Sequence, residues 1–166
     1  MRRAERERTD PAELEEILGA STVLFLALSD EPAPYVLPVC FGYEDGVIYV
    51  HSAPAGTKID LIARHPVVGF SASTEMTVVP AASPCGFSAR ARSVVGTGRA
   101  EVLAEETARR HGLDVIMRHY AGREGGPGAA HPGAGGAAPR EYNPASLART
   151  AVIAVRVATM RGKQIG

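Results

Sequence analysis

Six runs rich in β-branched and aromatic residues, separated by turn-forming residues, constrain this chain more than any other feature. They cover residues 21–29, 34–42, 47–50, 67–72, 90–103 and 150–157. Only turns, at 30–33 and 44–46, lie between the first three, so these read as antiparallel neighbours. The first run, S-T-V-L-F-L-A-L-S, reads as buried on both faces. Pro38 falls inside the second and has no N–H to give a ladder, so that run is an edge, or its ladder breaks where something else approaches. In the fifth run Val94, Gly96, Gly98, Ala100 and Val102 share one face. Two glycines there predict a close backbone approach, a bend or a bulge.

Helical signals are fewer. Asp10, Pro11 and Glu13 form a start signal, Leu14, Ile17 and Leu18 an apolar stripe, and Gly19 a stop. A second helix runs from Thr57 to His65, halted by Pro66. A third covers 105–120, with Leu113, Ile116, Met117 and Tyr120 as its stripe. One more turn is expected at 143–147. Residues 1–9 read as a flexible arm. Residues 122–140, rich in glycine, proline and alanine, read as a flexible loop. The sum is a single mainly β (α+β) domain of 166 residues, an antiparallel barrel with peripheral helices.

The third run hands over to the second helix through H-S-A-P-A-G-T-K, residues 51–58. Thr57 suits an N-cap whose hydroxyl accepts from the N–H of Asp60. A helix N-terminus presents N–H donors and a positive dipole end, Lys58 adds a full charge, and Ser52 and Thr57 add hydroxyls. A phosphate monoester dianion suits these groups; an ordinary connection with a solvated lysine is the other reading. The nucleotide-hydrolase loop G-x-x-x-x-G-K-[ST] is excluded, because His51 stands at its first glycine and Thr57 separates Gly56 from Lys58.

Charge narrows the classes. Lys plus Arg and Asp plus Glu both number 18, which leaves no electrostatic footprint for nucleic acid or an anionic membrane. Cys40 and Cys85 form no C-x-x-C pair, and His111 and His119, eight apart, lack zinc-helix spacing, so no metal site is expected. His65 reads as structural at a helix end, and His131 lies in the glycine-rich stretch. No G-x-S-x-G occurs. The first residues lack the apolar core of a signal peptide, and the longest apolar run, 23–28, is too short to span a bilayer, so a cytoplasmic location is expected.

Residues 46–70, G-V-I-Y-V-H-S-A-P-A-G-T-K-I-D-L-I-A-R-H-P-V-V-G-F, resemble the flavin-binding segment of the pyridoxamine 5′-phosphate oxidase-like split-barrel proteins, in the branch that includes the nitroimidazole-resistance proteins. P-Y-V-L-P-V-C-F-G-Y-E-D-G before it, C-G-F-S-A-R-A-R-S-V-V-G-T-G-R-A-E-V and M-R-H-Y after it, and R-G-K at 161–163 are similar too. The resemblance covers nearly the whole chain outside the glycine-rich stretch. It implies a homodimer of six-stranded split barrels with two flavin sites at the subunit interface. The cofactor implied is FMN, with FAD and the deazaflavin F420 as alternatives. By the same resemblance Ser52, Thr57 and Lys58 hold the flavin phosphate. Val36, Leu37, Pro38 and Val39 line the isoalloxazine, and Arg92 and Ser93 reach the flavin across the dimer. Ala91 stands where related sequences usually carry an aromatic, and Phe87 where they often carry tryptophan. Both shape the substrate pocket. The basic carboxy-terminal segment of true pyridoxamine phosphate oxidases has no counterpart, so vitamin B6 oxidation is not expected.

His51 stands beside Ser52, with an intrinsic pKa near neutrality. It suits a flavin contact, a substrate contact or proton transfer, and equally a structural hydrogen bond at the strand end. The function implied is a flavin-dependent oxidoreductase that passes electrons from reduced nicotinamide to a small molecule, nitro-aromatics included. A deazaflavin-dependent reductase and a non-catalytic flavin- or haem-binding module are the competing readings.

Overall fold

In the computed structural model, residues 4–120 and 141–166 are described. The loop expected at 122–140 and His131 lie outside the described residues. Among these residues nine strands form: β1 Glu7–Arg8, β2 Leu24–Leu28, β3 Tyr35–Val39, β4 Phe41–Glu44, β5 Val47–Ser52, β6 Val67–Ser73, β7 Thr77–Val79, β8 Ser88–Val102 and β9 Ala151–Ile165. The helices are α1 Pro11–Ala20, α2 Thr57–Arg64, α3 Glu106–Tyr120 and α4 Pro144–Ala148. The main sheet runs β3-β2-β6-β8-β9-β5-β4; β1 joins β9 and β7 joins β8. All pairings are antiparallel. This is the mainly β split barrel expected: the sheet is open, and its two end strands are consecutive in the chain, joined through Cys40.

The second expected run is therefore two strands, which raises the count. β3 pairs with β2, while β4 turns away to form a hairpin with β5. Pro38 fits an edge, since β3 ends the sheet. The β4–β5 turn uses Asp45 at φ 49° and Gly46 at φ 79°, the left-handed pair of a tight hairpin.

The glycines of β8 mark a bulge. Register shifts between Thr97, opposite Thr159, and Gly98, opposite Val157, so Ala158 is the extra residue on β9. A Cβ on Gly98 would lie 2.6 Å from the Arg156 carbonyl oxygen, and one on Gly96 would overlap the Phe70 ring. Side chains are excluded at both positions because strand and ring close on the backbone.

The core combines Leu14, Ile17 and Leu18 of α1 with Leu24, Leu26, Leu28, Phe41, Ile48, Val50, Leu61, Phe70, Val94, Ile153 and Val155. Each such side chain contributes roughly 1.5–3 kcal/mol on burial. Asp10 caps α1 through the N–H groups of Ala12 and Glu13. The helix passes Gly19 to Ala20, where the buried Ser21 hydroxyl donates to the Ile17 carbonyl. The frayed arm expected at 1–9 is tied down from Glu7, whose strand pairs with Lys163 and Gly162.

Two expectations about faces fail. β2 is not buried on both sides: Phe25 is 48% exposed. It lies in register with Pro38 on one side and Ser71 on the other, and Ser71 faces Val95. With exposed Val36 and Val67, these side chains give the outer sheet face an apolar stripe. On α3 the buried residues are Gly112, Val115 and Ile116, so of the expected stripe Ile116 is buried while Leu113, Met117 and Tyr120 are half-buried. Gly112 sets that rotation, since a Cβ there would lie 2.8 Å from both Tyr49 and Val152.

Candidate functional site

The sharpest local geometry follows β5. Gly56, at φ 119° and ψ 175°, precedes the first residue of α2. Only glycine enters this region without steric cost. Its carbonyl accepts from the N–H groups of Ile59 and Asp60, at 2.9 and 3.1 Å. The N–H groups of Thr57 and Lys58 thus open the helix with no carbonyl one turn behind them. Thr57 is the first helical residue and not the cap, and no side chain caps α2. The backbone turn needs a glycine, and that need displaces the threonine by one position.

Lys58 is half-buried, and burial pushes its amine below the ordinary lysine range. Burial disfavours the charged form because water no longer solvates it fully. No carboxylate lies within ion-pair distance of Lys58 among the described residues. A partly desolvated cation without a counter-ion, at the positive end of a helix, attracts an anion from solution.

The other expected residues lie on β3 and β5. Phe41 opposite Val50 is the last pair of the β4–β5 hairpin. Beyond it the chain leaves the hairpin at Cys40, and Val39 pairs with Leu24 of β2 while His51 and Ser52 pair with Val152 and Ala151 of β9. In β3, Leu37 and Val39 pack against the core, whereas Val36 and Pro38 point outward and are exposed. Alternation also divides β5. Ser52 shares a face with the buried Ile48 and Val50, while His51 shares the opposite face with Tyr49 and is exposed.

Arg92 and Ser93 stand apart from that corner. Arg92 donates to the Glu16 carboxylate of α1 at 2.9 Å, and its backbone N–H donates to the Thr74 hydroxyl at 3.1 Å. Ser93 lies in the ladder between Ser73 and Lys163. No hydrogen bond or ion pair joins Arg92 or Ser93 to Ser52, Thr57 or Lys58 within one chain, among the described residues. Phe87 and Ala91 are also separated. Ala91 lines an open cleft of about 260 Å³ at the root of the β7–β8 arm, whereas Phe87, 55% exposed, lies outside its walls.

Glu16 was not legible in the sequence as a site residue, because it lies off the apolar stripe of an amphipathic helix and nothing local links it to Arg92. Arg90 of the same cleft carried a signal only as one of several arginines on a strand. Among the described residues, no group of three or more His, Cys, Asp or Glu is placed to hold a metal ion. No described helix is long and apolar enough to cross a membrane.

A family model described as pyridoxamine 5′-phosphate oxidase matches residues 10–164. Among solved structures, the chain is similar to a Bacteroides thetaiotaomicron protein provisionally described as a 5-nitroimidazole antibiotic resistance protein. Identity is 30%, coverage is 96% of this chain and 87% of that one, and the TM-score is 0.77. A FAD and heme binding protein from Mycobacterium smegmatis matches at 23% identity, covering 96% of this chain and 73% of that one, with TM-score 0.77. A FAD-binding protein from Mesorhizobium loti matches at 21% identity, covering 95% and 97%, with TM-score 0.61. At these lower identities the likeness is one of fold. No curated protein matches.

Proposed function

Since the chain belongs to the pyridoxamine 5′-phosphate oxidase family, we propose that it is a flavin-dependent oxidoreductase that binds FMN at the β5–α2 corner. The observation that carries this reading is Lys58, a half-buried cation whose charge no carboxylate meets among the described residues, at a helix opening fixed by Gly56. The donor set suits a phosphate monoester: one ammonium, the N–H groups of Thr57 and Lys58, and the hydroxyls of Ser52 and Thr57. When bound, a flavin would supply hydride chemistry between reduced nicotinamide and a small oxidised molecule, with nitro-aromatics as the first candidates.

The chain's own residues bind and orient. Lys58 and Thr57 anchor the charged tail. The backbone of 36–39, on an end strand, offers polar groups to the ring edge. His51, on the exposed face of β5, is assigned a cofactor or substrate contact. The apolar stripe of Phe25, Val36, Pro38, Val67 and Val95 is assigned to a second copy of the chain. That copy would bring Arg92 and Ser93 to a site they do not reach within one protomer. Two of the solved relatives are described as FAD-binding proteins, which makes the dinucleotide the main rival cofactor.

A visible spectrum of the purified protein, before and after reduced nicotinamide, tests the reading. Flavin bands that bleach with the donor are expected, with FMN identified by mass spectrometry of the released cofactor. Protein that stays colourless after incubation with FMN, FAD and F420 overturns it. Sedimentation that shows only monomer overturns the shared site.

A further inference from the structure

We propose that the open cleft at the root of the β7–β8 arm binds a small monocarboxylate, with Arg90 as its anchor. That this occupant is the substrate rests on the proposed flavin-dependent function; that the cleft selects a carboxylate does not.

The cleft has a volume of about 260 Å³ and is lined by Arg90, Ala91 and Arg92 of β8, Thr77 of β7, Gln164 of β9, and Glu75. Two guanidinium groups stand two residues apart on one strand, but their charges are not equally available. Arg92 is met by Glu16 at 2.9 Å. No carboxylate lies within ion-pair distance of Arg90 among the described residues. Thr77 sits opposite Arg90 in the β7–β8 ladder, and Gln164 sits opposite Arg92 in the β8–β9 ladder. Neither the Thr77 hydroxyl nor the Gln164 amide has a hydrogen-bond partner among the described residues. The cleft thus presents one uncommitted planar cation flanked by two uncommitted polar groups.

That set selects by shape and by charge. A guanidinium fork matches the two oxygens of a carboxylate in its own plane. Glu75, also in the lining and exposed, places a negative charge on the same cleft. A dianion meets more of that repulsion than a monoanion does. Size sets the remaining limit. The volume falls below the roughly 300 Å³ at which drug-sized sites begin, and Ala91 contributes only a methyl group to the wall. A single planar ring bearing one carboxylate satisfies all three limits.

The test uses benzoate and its neutral counterpart benzamide, titrated into the full chain with ligand-observed NMR, with and without flavin. Benzoate is expected to bind roughly tenfold or more tightly than benzamide, the factor that one charge-assisted pair supplies. Arg90→Ala should erase the difference and Arg90→Lys should restore part of it. Glu75→Gln should move the other way and strengthen benzoate several-fold, so the proposal stays testable even if Arg90→Ala fails to fold. Equal binding of the two probes by the wild type, or a Glu75→Gln variant with an unchanged ratio, overturns it. Flavin content separates the two readings. A colourless protein that still prefers benzoate keeps the cleft and loses the oxidoreductase, and a flavin-loaded protein blind to benzoate does the reverse.

Discussion

The opening of α2 and the β8 strand at Arg92 each hold a cation assigned to the same proposed cofactor, and they treat the charge in opposite ways. Lys58 is half-buried with no carboxylate to meet it among the described residues, an environment that an anion would complete. Arg92 is partly exposed and already paired with Glu16. The first is a site that one chain almost finishes. The second is a reach held ready by a neighbouring helix, with its target elsewhere. On the proposed reading one chain would supply the phosphate anchor and a second chain would complete the enclosure.

Removing the charge at α2 is the strongest way to break this contrast. Lys58→Met should weaken flavin binding by roughly 10- to 100-fold, the value of a charge-assisted contact of about 1.5–3 kcal/mol, measured by fluorescence titration. The flavin-free variant should melt no lower than the wild type, because the substitution removes a partly desolvated charge that no carboxylate offsets among the described residues. Loss of affinity with a lower melting temperature would mean that Lys58 supports the fold instead. Gly56→Ala comes next. Forcing a Cβ to φ 119° costs about 1–3 kcal/mol, or about 2–4 °C of melting temperature per kcal/mol. Flavin affinity should fall with it, because the N–H groups of Thr57 and Lys58 lose their aim.

Mixing two inactive chains sharpens the contrast. If Lys58 and Arg92 serve one site from different protomers, Lys58→Ala and Arg92→Ala chains unfolded and refolded together should regain about a quarter of the wild-type flavin sites, since half the dimers are mixed and each has one intact site. No recovery places both residues in one protomer's site or removes Arg92 from it.

The pH dependence tests Lys58 without mutation. A phosphate monoester becomes a dianion above about pH 6, and it needs the lysine protonated. Flavin affinity should rise through that range and fall again as pH climbs past the Lys58 value, which lies below the ordinary 10.5 because the amine is partly desolvated. Stability of the flavin-free protein should change in the opposite sense. The unfolded chain holds its lysine proton to higher pH than the folded chain does, so stability rises with pH through the window between the depressed value and 10.5. Titrations that move affinity and stability in the same direction there would remove Lys58 as the cause.

What could be read from the sequence followed the range of the interaction. The Asp10 cap, the Asp45-Gly46 turn and the apolar runs rest on neighbours within a few residues, and each appears where its local chemistry puts it. The break at Cys40 was hidden, because β3 and β4 form one uninterrupted apolar run and only their different pairing partners divide them. β9 continues to Ile165, well past the last expected residue, because pairing with β8 carries the polar Thr159 and Gln164 into a strand that their side chains do not announce. The α3 face was off by about one residue because Gly112 lets the helix approach Tyr49 and Val152, and glycine adds nothing to an apolar stripe. At the candidate site, the Ser52–Lys58 segment was legible since it is contiguous. The Glu16–Arg92 pair, 76 residues apart, was not.

That pair gives the smallest and most discriminating effect. An exposed ion pair of this kind is worth about 0–1 kcal/mol, so Glu16→Gln should shift the melting temperature by no more than a few degrees. Its effect on flavin depends on what Glu16 does for Arg92. If the helix holds the guanidinium in the orientation a partner's site needs, Glu16→Gln should weaken flavin several-fold while leaving the monomer–dimer equilibrium unchanged. If Glu16 competes with the cofactor for the same guanidinium, removing its charge should tighten binding instead. α1 is capped by Asp10 and anchored by three buried side chains, so Glu16 sits on a fixed platform, which favours orientation over competition. The sign of the change in flavin affinity, measured on protein shown to be dimeric, decides between the two.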